Sequence, residues 1–219
     1  MNTKIITLIN TKGGVGKTTL SMNIGVTLAI RHSKKVAILD CDKQRSATKW
    51  AYNSEEESGF PCTVLSLADF HGNAHKEIRK LIGMYDYIII DCPPNKDALI
   101  NASVLLVTDL AIIPAVPTSV DMRAIEDDTI PLIEAATVNN EKLKSVIVIS
   151  RTNDTNLFKT VEKKYRKNGK LPVLSTKIKT RVIYCETELT GESVYTGNVS
   201  SAKNEISLLT DEILEYLQN

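Results

Sequence analysis

A single doubly wound α/β domain, with a mostly parallel sheet flanked by helices, is the fold class this sequence predicts. Three observations predict it. Short apolar runs alternate with helical stretches along the whole 219-residue chain. Most of these runs are continuously apolar, the pattern of strands covered on both faces. The first run leads directly into a glycine-rich turn, "NTKGGVGKTT", and then a helix-forming segment. Such alternation implies right-handed crossovers and one parallel sheet.

The elements follow in order. Strand-like runs are "KIITLIN" (4–10), "KVAILD" (35–40), "CTVLSL" (62–67), "YIIID" (87–91), "LAIIPA" (110–115) and "SVIVIS" (145–150), with "LPVLST" (171–176) a weaker seventh. Helices are expected between them at 17–31, 46–52, 72–84, 97–107, 120–137 and 157–168. A last helix over 202–217 carries Ile206, Leu209, Ile213 and Leu217 at helical spacing, which gives it one apolar face. Pro131 is expected to kink or interrupt its helix. The stretch 176–201, rich in Thr, Ser, Gly and charge, reads as a functional surface segment with a short helix. No repeat or linker divides the chain, so residues 1–219 are expected to form one domain.

Composition removes several classes. Hydrophobic residues make up 42% and charged residues 24%, as in ordinary globular proteins. A net charge of +1 predicts no polyanionic partner from bulk charge, so any nucleic-acid contact must come from a local patch or from assembly. No apolar run approaches the ~18 residues of a membrane span. The N-terminal run reads as a first strand and not as a signal peptide. Cys41, Cys62, Cys92 and Cys185 lack the paired spacing of zinc or redox sites, so reduced thiols in a cytoplasm are expected.

Chemistry concentrates at three strand ends. After the first strand, Gly13, Gly14 and Gly16 allow the backbone N–H groups of the turn, through Val15 and on to Thr19, to close around a phosphate. The following helix start adds its dipole. Lys17 is placed to reach β- and γ-phosphate oxygens, and the Thr18 hydroxyl to ligate Mg²⁺. A magnesium ion needs a carboxylate behind it, and Asp91, ending "YIIID", supplies one. Asp40 and Asp42 in "AILDCDKQ" point the same way in an extended segment. One of them could order magnesium and the other position an attacking water. Asp40 is taken as a metal residue and Asp42 as catalytic. The guanine-reading N-K-x-D signature is absent, which favours ATP. Pro117 and Arg151, beyond later strand ends, are the candidate adenine neighbours.

"TKGGVGKTT", "LDCDKQ" and "IIIDCPP", in this order and spacing, resemble the deviant-Walker ATPases of the ParA/MinD superfamily. The likeness extends to "PAVPTSVDM" (114–122) and to "AKNEI" at the last helix. Where the family typically has D-x-D-P-Q, Lys43 stands in place of the proline. The resemblance implies a phosphate-loop ATPase with ATP and Mg²⁺ as cofactors. It also gives Lys12 a role, that of the family's signature lysine, which reaches across an ATP-dependent homodimer to the partner's nucleotide. Such a finger in trans is worth roughly 10³–10⁵ in rate.

Other features narrow the branch. The acidic end "TDEILEYLQN" argues against a MinD-like membrane helix, so no membrane partner is expected. Cys41 and Cys92 abut nucleotide aspartates and do not suit a bridging iron–sulfur cluster, and a lone Tyr216 near the end does not make a tyrosine-kinase cluster. No N-terminal helix-turn-helix is expected. The chain is most similar to the short ParA-type (ParF-like) partition ATPases. That resemblance implies nonspecific DNA binding on the nucleoid and a small centromere-binding (ParB/ParG-like) partner that stimulates hydrolysis. Lys177, Lys179 and Arg181 in "STKIKTRVIY" are the first candidates for DNA, with "FKTVEKKYRKNGK" (158–170) second. The alternatives are a nucleotide-gated positioning ATPase for a protein cargo and a MinD-like membrane-associated ATPase.

Overall fold

The computed structural model describes residues 3–54, 59–95, 99–153, 155–197 and 200–218. Among these, seven strands form one sheet: β1 (Lys4–Leu8), β2 (Val36–Asp40), β3 (Thr63–Ser66), β4 (Tyr87–Asp91), β5 (Leu110–Ala115), β6 (Lys144–Thr152) and β7 (Val173–Lys179). Their order is β3-β2-β4-β1-β5-β6-β7, and every pairing is parallel. The sequence expectation of a mostly parallel sheet is met in full. The weak seventh strand is the longer for including the basic residues to Lys179.

Helices cover both faces, as the continuously apolar strands require. Alternate strand residues divide the core. Ile5, Leu39, Ile88, Ile90 and Ile113 face one layer, and Ile6, Leu8, Ile38, Ile89 and Ile112 the other. The second layer is made by α1 (Lys17–Ile30), α2 (Ser46–Tyr52), α8 (Ile183–Thr190) and α9 (Ser200–Gln218). The first is made by α3 (Ala74–Leu81), α4 (Leu99–Leu105), α5 (Ser119–Ala124), α6 (Ile130–Thr137) and α7 (Asn156–Asn168). Helix α1 is buried nearly all round, held between the sheet and α9. It lies so close to β2 that a Cβ at Gly25 would stand 2.7 Å from Ile38 Cδ1. In α9 the predicted face is realised by Ile206, Leu209 and Ile213, all buried.

Three boundaries differ from the sequence reading. The helix expected over 72–84 is a 3₁₀ turn, His71–Asn73, followed by α3, which stops at Leu81 before extended Ile82 and left-handed Gly83. The helix expected over 97–107 is seen as α4, and its expected first residue, Asp97, lies outside the described residues. The helix expected over 120–137 is broken on the N-terminal side of Pro131, where Ile125–Thr129 form a π turn between α5 and α6. Proline has no N–H and its ring crowds the carbonyl four residues back, so the backbone widens there.

Two glutamates of α9 cover the outer edge of β7. Glu212 accepts the backbone N–H of Ser175 at 2.6 Å and of Thr176 at 2.9 Å, and Glu205 accepts that of Lys179 at 3.3 Å. Burial raises the Glu212 carboxyl, but the N–H groups of Ser175 and Thr176 more than offset this and hold it below its ordinary value.

Candidate functional site

The strand order brings the three predicted strand ends together. β1 and β2 flank β4, with Leu8 beside Asp91 and Asp40 beside Asp91 in register. The turn after β1 therefore sits over the two carboxylates. Gly14 and Gly16 have positive φ (72° and 97°), and a Cβ at Gly16 would meet nothing within 4 Å, so the turn is open above α1. Gly13, Gly14, Gly16, Lys17, Thr18 and Thr19 line a cleft of about 360 Å³. Val15 turns inward instead. Its side chain is buried and its carbonyl accepts the Ser150 hydroxyl at 2.7 Å, which ties the loop to β6.

Lys17 is buried, which lowers its pKa against the opposing pull of Asp91. Its Nζ donates to the Lys12 carbonyl at 2.7 Å, so the ammonium already spans the loop where phosphate oxygens would lie. Thr18 Oγ1 donates to Asp91 Oδ2 at 2.6 Å, and Ser21 Oγ lies 3.4 Å from Asp91 Oδ1. Asp91 is fully buried. Burial and the neighbouring Asp40 and Asp42 push its carboxyl up to about 7, while the Thr18 hydrogen bond and Lys17 oppose that rise. A fully buried carboxylate beside a threonine hydroxyl is a hard-oxygen site in need of a cation. No group of three or more His, Cys, Asp or Glu among the described residues could cage a metal alone. The Thr18 hydroxyl and Asp91 suit Mg²⁺, which takes one or two protein oxygens and completes its shell with phosphates and water.

Asp40 is placed differently from its expected role as a metal residue. It is completely buried, Oδ1 accepts the Asp42 N–H at 3.1 Å, and Oδ2 accepts both the Thr48 N–H (2.8 Å) and hydroxyl (2.9 Å). Its oxygens are used to fasten the 41–45 loop to α2. Asp42 keeps its place in the cleft wall, with Oδ1 accepting the Gln44 N–H at 2.9 Å. Arg151 reaches the cleft and its guanidinium donates to the Gly14 carbonyl from a left-handed backbone (φ 49°). Pro117 does not line the cleft, because the chain leaves β5 toward α5 on the other side of the loop. The far wall is instead made by Ile178, Thr180, Arg181 and Tyr184, which sequence reasoning did not assign to the nucleotide.

Lys12 is not loose at the crown. Its Nζ forms an ion pair with Asp121 Oδ1 at 2.8 Å, and Asp121 is gripped in turn by the Thr118 hydroxyl at the start of α5. The Lys12 N–H is held by Asn10 Oδ1 at 2.9 Å, and Thr11, which stands where a general phosphate loop has glycine, is bonded to Thr129 of the π turn. Asp121 lies within "PAVPTSVDM", but nothing in its spacing marks it as a partner of Lys12.

The proposed DNA cluster is not an open patch. Arg181 is bound by both oxygens of Glu205, at 2.5 and 3.2 Å, and Lys177 pairs with Glu162 at 2.7 Å. Lys179 and Arg181 also line the nucleotide cleft. Cys41 and Cys92 are buried next to each other, and burial raises both thiols well above their ordinary value.

A parallel sheet with a glycine turn, a phosphate lysine, a hydroxyl and a strand-end aspartate at one edge defines a phosphate-loop nucleotide-binding domain. The second lysine at the crown makes it the deviant kind. Comparison with known proteins agrees: residues 6–194 match the model of the CobQ/CobB/MinD/ParA nucleotide binding domain, and the chain belongs to that family. It is 29% identical over 211 residues, 95% of each chain, to "Maintenance of carboxysome distribution protein A" of Halothiobacillus neapolitanus. It is 26% identical over 243 residues, 94% of this chain and 95% of the other, to "Sporulation initiation inhibitor protein Soj" of Bacillus subtilis. In structure it is similar to cobyrinic acid a,c-diamide synthase from Mycobacterium smegmatis with bound ATP analog and magnesium (TM-score 0.81, 20% identity, 99% and 96% coverage). The fold and the family are those of ParA/MinD ATPases, and ATP with Mg²⁺ fits this site. No helix among the described residues is long and apolar enough to cross a membrane.

Proposed function

We propose that this protein is a nucleotide-gated positioning ATPase that dimerises on ATP, uses DNA as a track and is driven by a cargo-bound partner. The observation that carries the reading is the pair of lysines in one loop. Lys17 fills the phosphate cradle of its own chain, and Lys12 stands outside it on a neighbouring carboxylate. A cation at that place adds little to its own site and is available to another. In the proposed cycle Thr18 and Asp91 hold magnesium, the loop amides and Lys17 hold the phosphates, and Asp42 positions the attacking water. When bound, the metal neutralises charge developing on the phosphates. Arg151, already on the Gly14 carbonyl, is placed to follow the loop as nucleotide enters. The 29% identity to a carboxysome-distribution protein favours a protein assembly as cargo over a plasmid. Localisation on the nucleoid follows from the track.

Light scattering with ADP and with a nonhydrolysable ATP analogue tests the gate. Doubling of mass with the analogue alone is expected, and equal mass in both states would refute it. The cargo is tested by deletion in the host. Loss of even spacing of a protein assembly supports the reading, whereas plasmid loss without it supports partition.

A further inference from the structure

We infer that the surface touching the track is the exposed face of α7, a stripe of lysines suited to the phosphate backbone of double-stranded DNA, and not the 175–181 cluster. The inference rests on the DNA-track reading above and assigns its surface. Lys159, Lys163 and Lys167 are exposed and recur every fourth residue of α7, with Lys164 beside them and Lys170 just past the helix end. Four residues of helix rise about 6 Å, so the three span roughly 12 Å on one face. One DNA strand advances about 3.4 Å per phosphate along the axis, so the stripe matches a run of about four to five phosphates.

Pairing within the chain separates this face from the other candidate. None of these five lysines has an ion-pair partner among the described residues. The one acid of the helix, Glu162, is turned inward and consumed by Arg166 (2.9 Å) and Lys177 (2.7 Å). Burial raises the Glu162 carboxyl, and the hydrogen bonds from those two cations more than reverse the rise. In the 175–181 cluster, by contrast, a phosphate would have to displace Glu205 from Arg181 and Glu162 from Lys177. A chain of net charge +1 thus keeps a local stripe of unneutralised cations.

A lipid surface is the other polyanion such lysines could meet. A helix that enters lipid needs a free apolar face, and on α7 Val161 and Tyr165 are buried in the core, which leaves Leu157 in the first turn as the one strongly exposed apolar side chain of that helix among the described residues. The lysine stripe stands on a helix already docked, as a contact to a rigid polyanion requires.

The test is fluorescence anisotropy with random-sequence duplex DNA and a nonhydrolysable ATP analogue across a range of salt. The variants are the triple Lys159→Ala/Lys163→Ala/Lys167→Ala, its Lys→Arg counterpart, Arg181→Ala, and a charge-matched control lacking the exposed Lys34, Lys49 and Lys76. The alanine triple should lose affinity by roughly 100-fold at 0.1 M salt and flatten the log–log salt slope by about 2.7 per engaged protomer. The arginine triple and the control should bind like wild type, and all should dimerise with the analogue. A control triple that loses as much as the stripe, or an Arg181→Ala that does, overturns the assignment, as does an alanine triple that binds normally. Wild type that binds no DNA with the analogue overturns the track itself. Wild type that binds phosphatidylglycerol vesicles but not DNA, through the same lysines, moves the surface to lipid and overturns the DNA assignment.

Discussion

If Lys12 serves the opposite protomer, it must first leave Asp121, and the strength of that ion pair becomes a brake on dimerisation. The pair is 2.8 Å long, with side chains 34% and 12% exposed. At an effective dielectric of about 20 the bare attraction is roughly 6 kcal/mol, most of it cancelled by lost hydration. Exposed pairs net about 0.2–1 kcal/mol and hydrogen bonds to charged groups about 1.5–3. The half-open lysine places this one near 1 kcal/mol. Two such pairs break per dimer, so Asp121→Asn should tighten the ATP dimer by about 2 kcal/mol, roughly 30-fold. Asparagine keeps the geometry and can still accept from Thr118. A dilution series in sedimentation velocity with a nonhydrolysable analogue reads the constant. Lys12→Ala should bind ATP and stay monomeric, and adding Asp121→Asn to it should change nothing, because the two act through one contact. Asp121→Asn that dimerises no better than wild type, or tightens the dimer equally in the Lys12→Ala background, would refute the competition.

The same geometry makes other outcomes measurable. Lys17→Ala and Thr18→Ala each remove a charge-assisted contact to phosphate or metal and should weaken a fluorescent ATP analogue by roughly 10- to 150-fold, measured by equilibrium titration. Asp42→Ala should bind ATP and dimerise, yet hydrolyse at least ~100-fold more slowly in a single turnover. Glu162 is held below its ordinary value in the fold, so its stabilisation is complete above the unfolded carboxylate range and fades as pH falls through the folded value. Glu162→Gln should therefore lower the melting temperature at pH 7, and its deficit against wild type should shrink as pH falls below the ordinary carboxylate range. Gly191 has φ +73°, and a Cβ there would stand 2.1 Å from Ser54 N, so Gly191→Ala should cost more than ~2 kcal/mol in chemical denaturation.

The strands and the phosphate loop were legible because their signals are local. Continuous apolar runs mark buried strands, and "GGVGKTT" between strand and helix leaves little else to read. The neighbouring ends of β1, β2 and β4 could be expected only as a condition, since strand order is a tertiary fact. Asp40 and Asp42 looked alike in sequence. Thr48, eight residues after Asp40, decided that one carboxylate would turn down onto α2 and the other stay in the cleft. The partners of Lys12 and Arg181 lie 109 and 24 residues away, so no spacing argument could find Asp121 or Glu205. The same blindness left "STKIKTRVIY" and the lysines of α7 indistinguishable by charge, because charge in sequence does not show which cations are already answered.

The glutamates along β7 bear on how this protein crowds. An outer strand with idle amides is a template on which another chain can lengthen the sheet, and a protein gathered densely along a polymer meets its own copies constantly. Here Glu205 and Glu212 occupy three of those amides with carboxylate oxygens. An incoming strand would have to evict two anions before its first rung formed. Growth of a fibre by sheet extension is thus discouraged on the β7 side, and association is directed to surfaces that nucleotide can switch.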